Sequence, residues 1–228
     1  MIRKLQDGLY QIRGALACNY LLIDHDEATL IDSGFVGAVR LIGRALEREG
    51  LGWKNLKAIL LTHGHIDHCY NVAEIVRRSG ARVYGHPADE AHFEGTYRYE
   101  GLNRICGALV KSASLLFGYE PVSEDWALKD GDHLQLWGGL EVVHLPGHTF
   151  GHCGFYSRQH DLLFSGDLFA TDWFGTVLPW PGLNSCSQLF PKSLEKVAAL
   201  EPKLMLANHC DRASPQRQRE RFWKKYVG

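Results

Sequence analysis

Apolar and polar positions alternate over short distances in the first third of the chain. The runs at 8–14, 18–26 and 27–34 (GLYQIRG, CNYLLIDHD and EATLIDSG) are bounded by turn residues, which is typical of strands joined by tight turns. The simplest interpretation is an antiparallel meander. Residues 36–49 instead place apolar side chains at helical spacing, and Gly50 supplies a helix stop.

The pattern then predicts a strand, a loop, a helix and another strand. The run KAILL at 57–61 is typical of a buried strand, NVAEIVRRSG at 71–80 of an amphipathic helix, and ARVYGH at 81–86 of a strand. Residues 88–122 break this rhythm, because apolar side chains recur at helical spacing from Ile105 to Phe117. We therefore predict a helical insertion over 88–122.

The second half of the chain repeats the order of strands followed by a helix. The predicted strands are HLQLW, LEVVHLPGH, CGFYS and DLLFSGD, followed by the helix SLEKVAALE and the strand KLMLANHC. The segment SPQRQRERFWKKYV predicts a basic surface helix that packs through its aromatic side chains. The whole pattern favours an α/β fold in which sheet packs on sheet with helices outside. Since no Pro/Ser-rich linker separates the halves, we expect one domain over 1–228.

Composition indicates the class of protein and the cellular compartment in which this domain is expected. Apolar residues make up 45% and charged residues 22%, as in ordinary globular proteins, and the net charge of −1 gives no reason to expect nucleic acid. Six scattered cysteines without a CxxC pair favour reduced thiols. The N-terminus lacks an apolar signal region, and no run approaches the ~18 apolar residues of a membrane span. These features predict a cytoplasmic protein without a membrane partner, and they leave its oligomeric state open.

Ligand-type side chains crowd into the loop that follows the KAILL strand. The stretch LTHGHIDHCYN contains His63, His65, Asp67 and His68 within six positions. In an extended chain, residues i and i+2 point the same way, so His63 and His65 can present their imidazoles to one metal ion. Asp67 and His68 lie beyond the turn, where a second ion would be within reach.

Three further residues of this kind each follow an apolar strand: His148, Asp167 and His209. A carboxylate can bridge two cations through its two oxygens, a role that suits Asp167. Five histidines and two aspartates would then hold two divalent metal ions. Nitrogen and carboxylate ligands favour zinc, with iron and manganese as alternatives.

Three motifs occur in a characteristic order: HxHxDH at 63–68, PGHTxGH at 146–152 and SGD at 165–167. With them the chain resembles the metallo-β-lactamase-fold hydrolases, and the glyoxalase II type in particular. The resemblance implies an αββα sandwich of two mixed β-sheets with outer helices and a site at one edge of the sheets. By position, it implies one metal on His63, His65 and His148, the other on Asp67, His68 and His209, and Asp167 as the bridge. One departure is ANHC around His209, where the family often has glycine after the last ligand.

Such a site implies hydrolysis of an ester, thioester or lactone by a metal-activated hydroxide, with a small acyl compound as substrate. Asp67 is a candidate catalytic residue that orients the nucleophile as well as binding metal. A glutathione thioester stays open, because full-length glyoxalase II enzymes have a C-terminal helical region and this chain ends soon after His209. The alternatives are a mononuclear iron persulfide dioxygenase and a phosphodiesterase of the same fold.

The remaining histidines and cysteines have simpler interpretations. His152 belongs to the PGHTxGH pattern without being a ligand in it, so we expect a supporting or packing role, and His86 and His144 are expected to serve the core or surface. Cys69, Cys153 and Cys210 each follow a histidine, but no spacing supports a thiolate site.

Aromatic residues in the insertion and after Asp167 offer surface suited to an acyl or lactone substrate. They are Tyr97, Tyr99, Phe117, Tyr119, Trp173, Phe174 and Trp180. The simpler interpretation is that most of them pack the insertion against the sandwich. The insertion over 88–122 itself is expected to lie where it can cover the site and shape specificity.

Overall fold

Two β-sheets pack face to face, and helices cover their outer sides. The computed structural model describes residues 1–100, 103–172 and 175–228. The strands are β1 (Ile2–Gln6), β2 (Leu9–Arg13), β3 (Cys18–Asp24), β4 (Glu27–Ile31), β5 (Leu56–Leu60), β6 (Arg82–Gly85), β7 (Trp126–Ala127), β8 (His133–Leu134), β9 (Leu140–His144), β10 (Cys153–Ser157), β11 (Leu162–Gly166), β12 (Ala170–Asp172), β13 (Gly175–Val177) and β14 (Leu204–Ala207). The helices are α1 (Ala38–Arg48), α2 (Ile66–Cys69), α3 (Val72–Ser79), α4 (Glu90–Phe93), α5 (Arg104–Phe117), α6 (Phe190–Leu200) and α7 (Pro215–Tyr226).

The first sheet has the strand order β1-β2-β3-β4-β5-β6-β7. Strands β1 to β4 pair antiparallel, which confirms the predicted meander, and β4 to β7 pair parallel. The sequence pattern did not predict β1, whose side chains alternate little in polarity. The parallel part brings the ends of β4 and β5 to the same edge.

The second sheet has the order β14-β11-β10-β9-β8, with β14 parallel to β11 and the other pairs antiparallel. The segment HLQLW was expected to be a strand throughout, but only His133 and Leu134 pair. The chain turns at Trp137, which has a φ of 49° and buries its ring. Packing of this ring in the core therefore outweighs its strand propensity. With both sheets mixed and helices outside, the αββα sandwich is confirmed.

Alternate side chains of β3 enter two hydrophobic cores. Tyr20 and Leu22 pack between the two sheets, whereas Leu21 packs on the outer face that α1 and α3 cover. Successive residues of a strand point to opposite faces. The continuous apolar run of this strand therefore reflects burial on both sides.

The other side of the sandwich is covered by α6 and α7. Phe222 of α7 is fully buried, and Trp223 and Tyr226 pack against the same core, as the sequence predicted. The predicted insertion helix is α5, and it leaves Ile105 and Leu116 largely exposed. In the described part of the chain, no helix has both the length and the apolarity needed to cross a membrane.

Candidate metal centre

The candidate ligands are carried by the segments that follow four strands. His63 follows β5, His148 follows β9, Asp167 follows β11 and His209 follows β14. Strands of both sheets end at this edge, so residues distant in sequence meet there. The structure thus brings together all seven residues that the sequence singled out.

His63, His65 and His148 form the first cluster. One ring nitrogen from each lies within 4.8 Å of the others, and all three side chains are buried. The rings of His63 and His148 each lie within 5 Å of the His65 ring, at 4.7 and 4.4 Å between centroids. Gly64 is required between the two loop histidines, because a Cβ there would come within 2.4 Å of the His92 Cβ.

Asp67, His68 and His209 form the second cluster, and their ligand atoms also lie within 4.8 Å of one another. The Nε2 atoms of His68 and His209 are 3.4 Å apart. Asp67 Oδ2 lies 3.3 Å from the His209 Nε2 and 3.7 Å from the His68 Nε2. The short helix α2 begins directly after His65 and turns Asp67 and His68 toward this cluster.

Asp167 lies between the two clusters. Its Oδ2 is 3.5 Å from the His148 Nε2 and 3.9 Å from the His63 Nε2 on one side. On the other side the same atom is 3.5 Å from the His68 Nε2 and 3.1 Å from the His209 Nε2. The carboxylate therefore faces both sets of histidines, as a bridging ligand would.

The first cluster consists of histidines held in the neutral form. Burial lowers the pKa of His63 and His65 well below the ordinary value, and neighbouring histidines act in the same direction. Burial also lowers the pKa of His148. A neutral imidazole has the free lone pair that metal binding needs, so these side chains have the protonation state of ligands.

The second cluster is electrostatically different. The Asp167 carboxylate raises the pKa of His209 to about 10, against the effect of burial. Burial also opposes a charge on His68, but the carboxylates of Asp167, Asp67 and Asp32 raise its pKa well above the ordinary value. Positive charge is thus stabilised where the carboxylates converge, which is the environment that a bound cation would share.

Buried polar atoms without hydrogen-bond partners are a second sign that these residues can bind a metal. His63 Nε2, His148 Nε2 and Asp167 Oδ1 are buried side-chain atoms that have no hydrogen-bond partner. Unpaired buried polar groups are costly and rare in folded proteins. Since all three are strong ligand atoms at one place, coordination to a cation would satisfy them together.

Asp32 supports the second cluster from the end of β4. Its Oδ2 lies 2.8 Å from the His68 Nδ1 and accepts hydrogen bonds from Thr62 and Asn208 at 2.7 Å. Asp32 is fully buried and has a φ of 57°. The sequence analysis missed this residue, although its position directly after an apolar strand is the signal that identified other site residues.

Two residues from other segments hold the first cluster. The Tyr99 hydroxyl lies 3.0 Å from the His65 Nε2. The other nitrogen of that ring, Nδ1, is therefore the one that would bind a metal. The Asn184 Oδ1 lies 2.7 Å from the His148 Nδ1 and fixes that ring with Nε2 facing Asp167. Partners of this kind orient metal ligands and select their tautomer. Nothing in the sequence around Asn184 indicates this contact.

His152 has the supporting role expected for it. Its Nδ1 donates to the Leu145 carbonyl at 2.9 Å, and its Nε2 accepts from the backbone N–H of Asp167 at 2.9 Å. Burial lowers the pKa of His152 to about 3, so the ring is neutral and can make both bonds. It therefore positions the backbone of Asp167.

Asp89 joins two of the ligand-bearing loops. Its carboxylate accepts from the Gly64 N–H at 3.0 Å, the Thr149 hydroxyl at 2.6 Å and the Gly151 N–H at 2.7 Å. Burial raises the pKa of Asp89 to about 6, while these hydrogen bonds act in the opposite direction. The sequence offered no sign of this contact, which spans up to 62 residues of chain.

The other histidines and the cysteines stay outside the clusters. His86 and His144 stack on each other at 4.3 Å, and the His144 Nε2 lies 2.8 Å from the Phe150 carbonyl. Among the described residues, the groups able to hold a metal ion consist of histidine and aspartate only. Cys69, Cys153 and Cys210 are buried free thiols.

The aromatic residues divide between packing and the site. Phe117 packs on Phe35, and the Tyr119 hydroxyl donates to the Phe93 carbonyl. Trp180 borders the cavity beside the clusters, whereas Tyr97, Tyr99 and also Tyr119 border a smaller one. Trp173 and Phe174 lie outside the described residues.

Comparison with known protein families identifies the fold family. The model of the metallo-beta-lactamase superfamily matches residues 13–209, which include both clusters and Asp167. The chain belongs to the metallo-β-lactamase superfamily.

Two kinds of curated protein are similar to this chain in sequence. An uncharacterized protein of Mycobacterium tuberculosis is 36% identical, over 68% of this chain and 69% of the relative. The hydroxyacylglutathione hydrolase GloC of Haemophilus influenzae is 31% identical, over 66% of this chain and 65% of its own length. This metallo-β-lactamase-fold chain thus spans slightly less than two thirds of that enzyme.

Solved structures agree with the assignment. A metallo-beta-lactamase family protein from Thermus thermophilus has a TM-score of 0.71 and 26% identity, covering 95% of this chain and 78% of that one. The subclass B3 metallo-beta-lactamase BJP-1 of Bradyrhizobium japonicum has a TM-score of 0.69 and 21% identity, covering 91% and 77%. The second likeness shows the superfamily fold alone.

Proposed function

We propose that this member of the metallo-β-lactamase superfamily is a dinuclear metal hydrolase, with zinc as the favoured metal, that cleaves an ester, thioester or lactone bond. The observation that carries the proposal is the convergence of two three-residue clusters on one carboxylate, Asp167. A second complete cluster is not needed by a mononuclear oxygenase. The relatives named hydroxyacylglutathione hydrolase support hydrolysis as the reaction.

The proposed metal sets follow the two clusters. His63, His65 and His148 would hold one ion, Asp67, His68 and His209 the other, and Asp167 would bridge them. When bound, a pair of divalent cations supplies Lewis acidity and makes hydroxide available near neutral pH.

The chain's own residues prepare the site for this chemistry. Asn184 and Tyr99 fix the rings of His148 and His65, so that ligand atoms need not reorganise when metal binds. Asp67 is the proposed catalytic residue, because its carboxylate is 18% exposed while Asp167 is almost fully buried. A carboxylate open to the cavity can accept a hydrogen bond from an attacking water and orient it toward an acyl carbon.

Metal content and activity together test the proposal. The protein is purified without chelator or added metal, and its metals are counted by elemental mass spectrometry. About two zinc ions per chain, together with hydrolysis of a panel of thioesters and lactones, would support a dinuclear hydrolase. The His144→Ala variant serves as a control, because this partly exposed histidine lies outside both clusters and should retain the parent's metal and activity.

Other outcomes would replace the proposal with a named alternative. About one iron per chain, with oxygen uptake on a persulfide, would make the protein a mononuclear dioxygenase. Cleavage of a simple aryl phosphodiester without acyl hydrolysis would make it a phosphodiesterase. Two bound metals without turnover of any acyl substrate or phosphodiester would argue against a hydrolase.

A further inference from the structure

A groove with an apolar wall opens directly onto the candidate metal centre. It encloses about 210 Å³, and its floor is formed by ligand side chains including Asp67, Asp167 and His209. Its wall consists of apolar residues from the segment that follows β11: Phe169, Val177, Leu178, Pro179, Trp180 and Leu183. A substrate that reacts at this centre would therefore have one of its parts in contact with the apolar wall.

The apolar wall disfavours binding of charged substrate groups. The described residues that line the groove include no lysine or arginine, and their polar side chains are the candidate ligands themselves. A carboxylate or ammonium group leaving water for such a wall would lose hydration without gaining a partner. An alkyl chain would gain free energy in the same place through burial of apolar surface.

Hydrogen bonds tie the wall to both metal clusters. Asn184, which follows the wall, contacts the His148 ring, and the Ser185 N–H donates to the His148 carbonyl at 2.8 Å. At the other end, the Thr171 N–H donates to the His209 carbonyl at 2.9 Å. The wall is therefore held at a defined distance from the ligands and can position a bound chain relative to them.

The alternative cavity beside His65 is less suited to an alkyl chain. It encloses about 40 Å³ and is bordered by Tyr97, Tyr99 and Lys111. Trp180, by contrast, lies at the rim of the larger groove with 63% of its surface exposed. An indole left largely in water gains apolar contact when a chain enters the groove.

We propose that the groove between Phe169 and Leu183 binds an unbranched aliphatic acyl chain of the substrate, so that the enzyme prefers medium-chain acyl compounds to acetyl or strongly polar acyl compounds. This inference rests on the proposed hydrolase function and names its substrate class. It assigns Trp180 as a specificity-determining residue, which contacts the acyl chain and not the reacting carbonyl.

A series of thioesters with one leaving group tests the preference. The metal-loaded protein is assayed with the acetyl, butanoyl, hexanoyl and octanoyl thioesters of N-acetylcysteamine. We expect kcat/KM to rise about fourfold for each added methylene until the groove is full, because burial of each methylene contributes about 0.8 kcal/mol to binding. Equal kcat/KM for acetyl and hexanoyl substrates would overturn the proposal.

A pair of tryptophan variants tests the groove itself. Trp180→Ala should reduce the ratio of hexanoyl to acetyl kcat/KM about tenfold. Trp126→Ala is the matched control, because Trp126 is also largely exposed, at 54%, but lies on β7 outside the groove. A ratio equal in Trp180→Ala and the parent would contradict the assignment.

Binding of products separates this inference from the proposed function. Isothermal titration calorimetry compares hexanoate with acetate on the metal-loaded protein. Tighter binding of hexanoate that Trp180→Ala abolishes would support the acyl groove even if no thioester were hydrolysed, in which case the hydrolase proposal alone would fail. Equal binding of the two acids would overturn the acyl groove whatever the outcome of the hydrolysis assay.

Discussion

The carboxylate of Asp32 and the imidazole of His68 form a buried hydrogen bond, with Oδ2 and Nδ1 2.8 Å apart. Because a carboxylate only accepts, the neutral, metal-binding form of His68 must carry its proton on Nδ1, and its Nε2 then faces Asp167 Oδ2 at 3.5 Å. One residue at the end of β4 thus sets both the tautomer and the direction of a candidate ligand. Partners of this kind change metal affinity without touching the metal.

Replacement of Asp32 should weaken the second metal site. The Oδ2 of Asp32 now faces the Thr62 hydroxyl, the His68 Nδ1 and the Asn208 amide. An asparagine side chain is uncharged and has only one oxygen, so Asp32→Asn weakens the hydrogen bond that orients His68. We expect metal affinity at this site to fall by about 10–100-fold, measured by competition with a chromogenic chelator. Asp24→Asn, at the exposed end of β3, is the control. Unchanged affinity for both metals in folded Asp32→Asn would show that this hydrogen bond does not tune the site.

Loss of a candidate ligand should remove metal and hydrolysis together. His63→Ala deletes an imidazole of the first cluster, and Asp167→Asn replaces the carboxylate that faces both clusters. We expect bound metal to fall and kcat/KM to drop at least about 100-fold, because the cations stabilise charge in the transition state. His144→Ala should change neither. If His63→Ala binds as much metal as the parent, the ligand assignment is wrong.

The hydroxyl of Tyr99 should matter through His65. Tyr99→Phe keeps the ring but removes the contact at 3.0 Å to the His65 Nε2. We expect metal affinity at the first site to fall about tenfold, with the second site unaffected. Tyr84→Phe, on β6, provides a comparison in which a hydroxyl is lost outside the clusters. Equal metal affinity in Tyr99→Phe and the parent would mean that packing alone orients His65.

Asp89 should contribute mainly to stability. Asp89→Ala leaves the donors of Gly64, Thr149 and Gly151 buried without their acceptor. We expect the free energy of unfolding to fall by about 3 kcal/mol or more, since each unsatisfied buried donor costs about 1–3 kcal/mol. Urea unfolding measures this change. The exposed neighbour offers the control Glu90→Ala, expected to stay within about 0.5 kcal/mol of the parent. Similar unfolding curves for the two variants would contradict the role of Asp89.

Local sequence determined most of the elements and the candidate ligands. Period-two and period-3.6 patterns predicted most of the strands and helices, because side-chain burial follows directly from these repeats. The candidate ligands were recognisable because His63 and His65 belong to one local motif and Asp167 follows directly on a strand. Even the supporting role of His152 was expected from its place in the PGHTxGH pattern.

Tertiary structure alone decided which residues support those ligands and what lies beside them. Asp32 reaches His68 across 36 positions of sequence, and Asn184 reaches His148 across another 36. The groove wall depends on where the segment after β13 packs, and Trp137 leaves its expected strand to fill the core. The contacts of Asp32 and Asn184 form where separate segments of the chain meet at one edge of the sheets. They depend on distances across the fold, and a local pattern along the chain does not predict those distances.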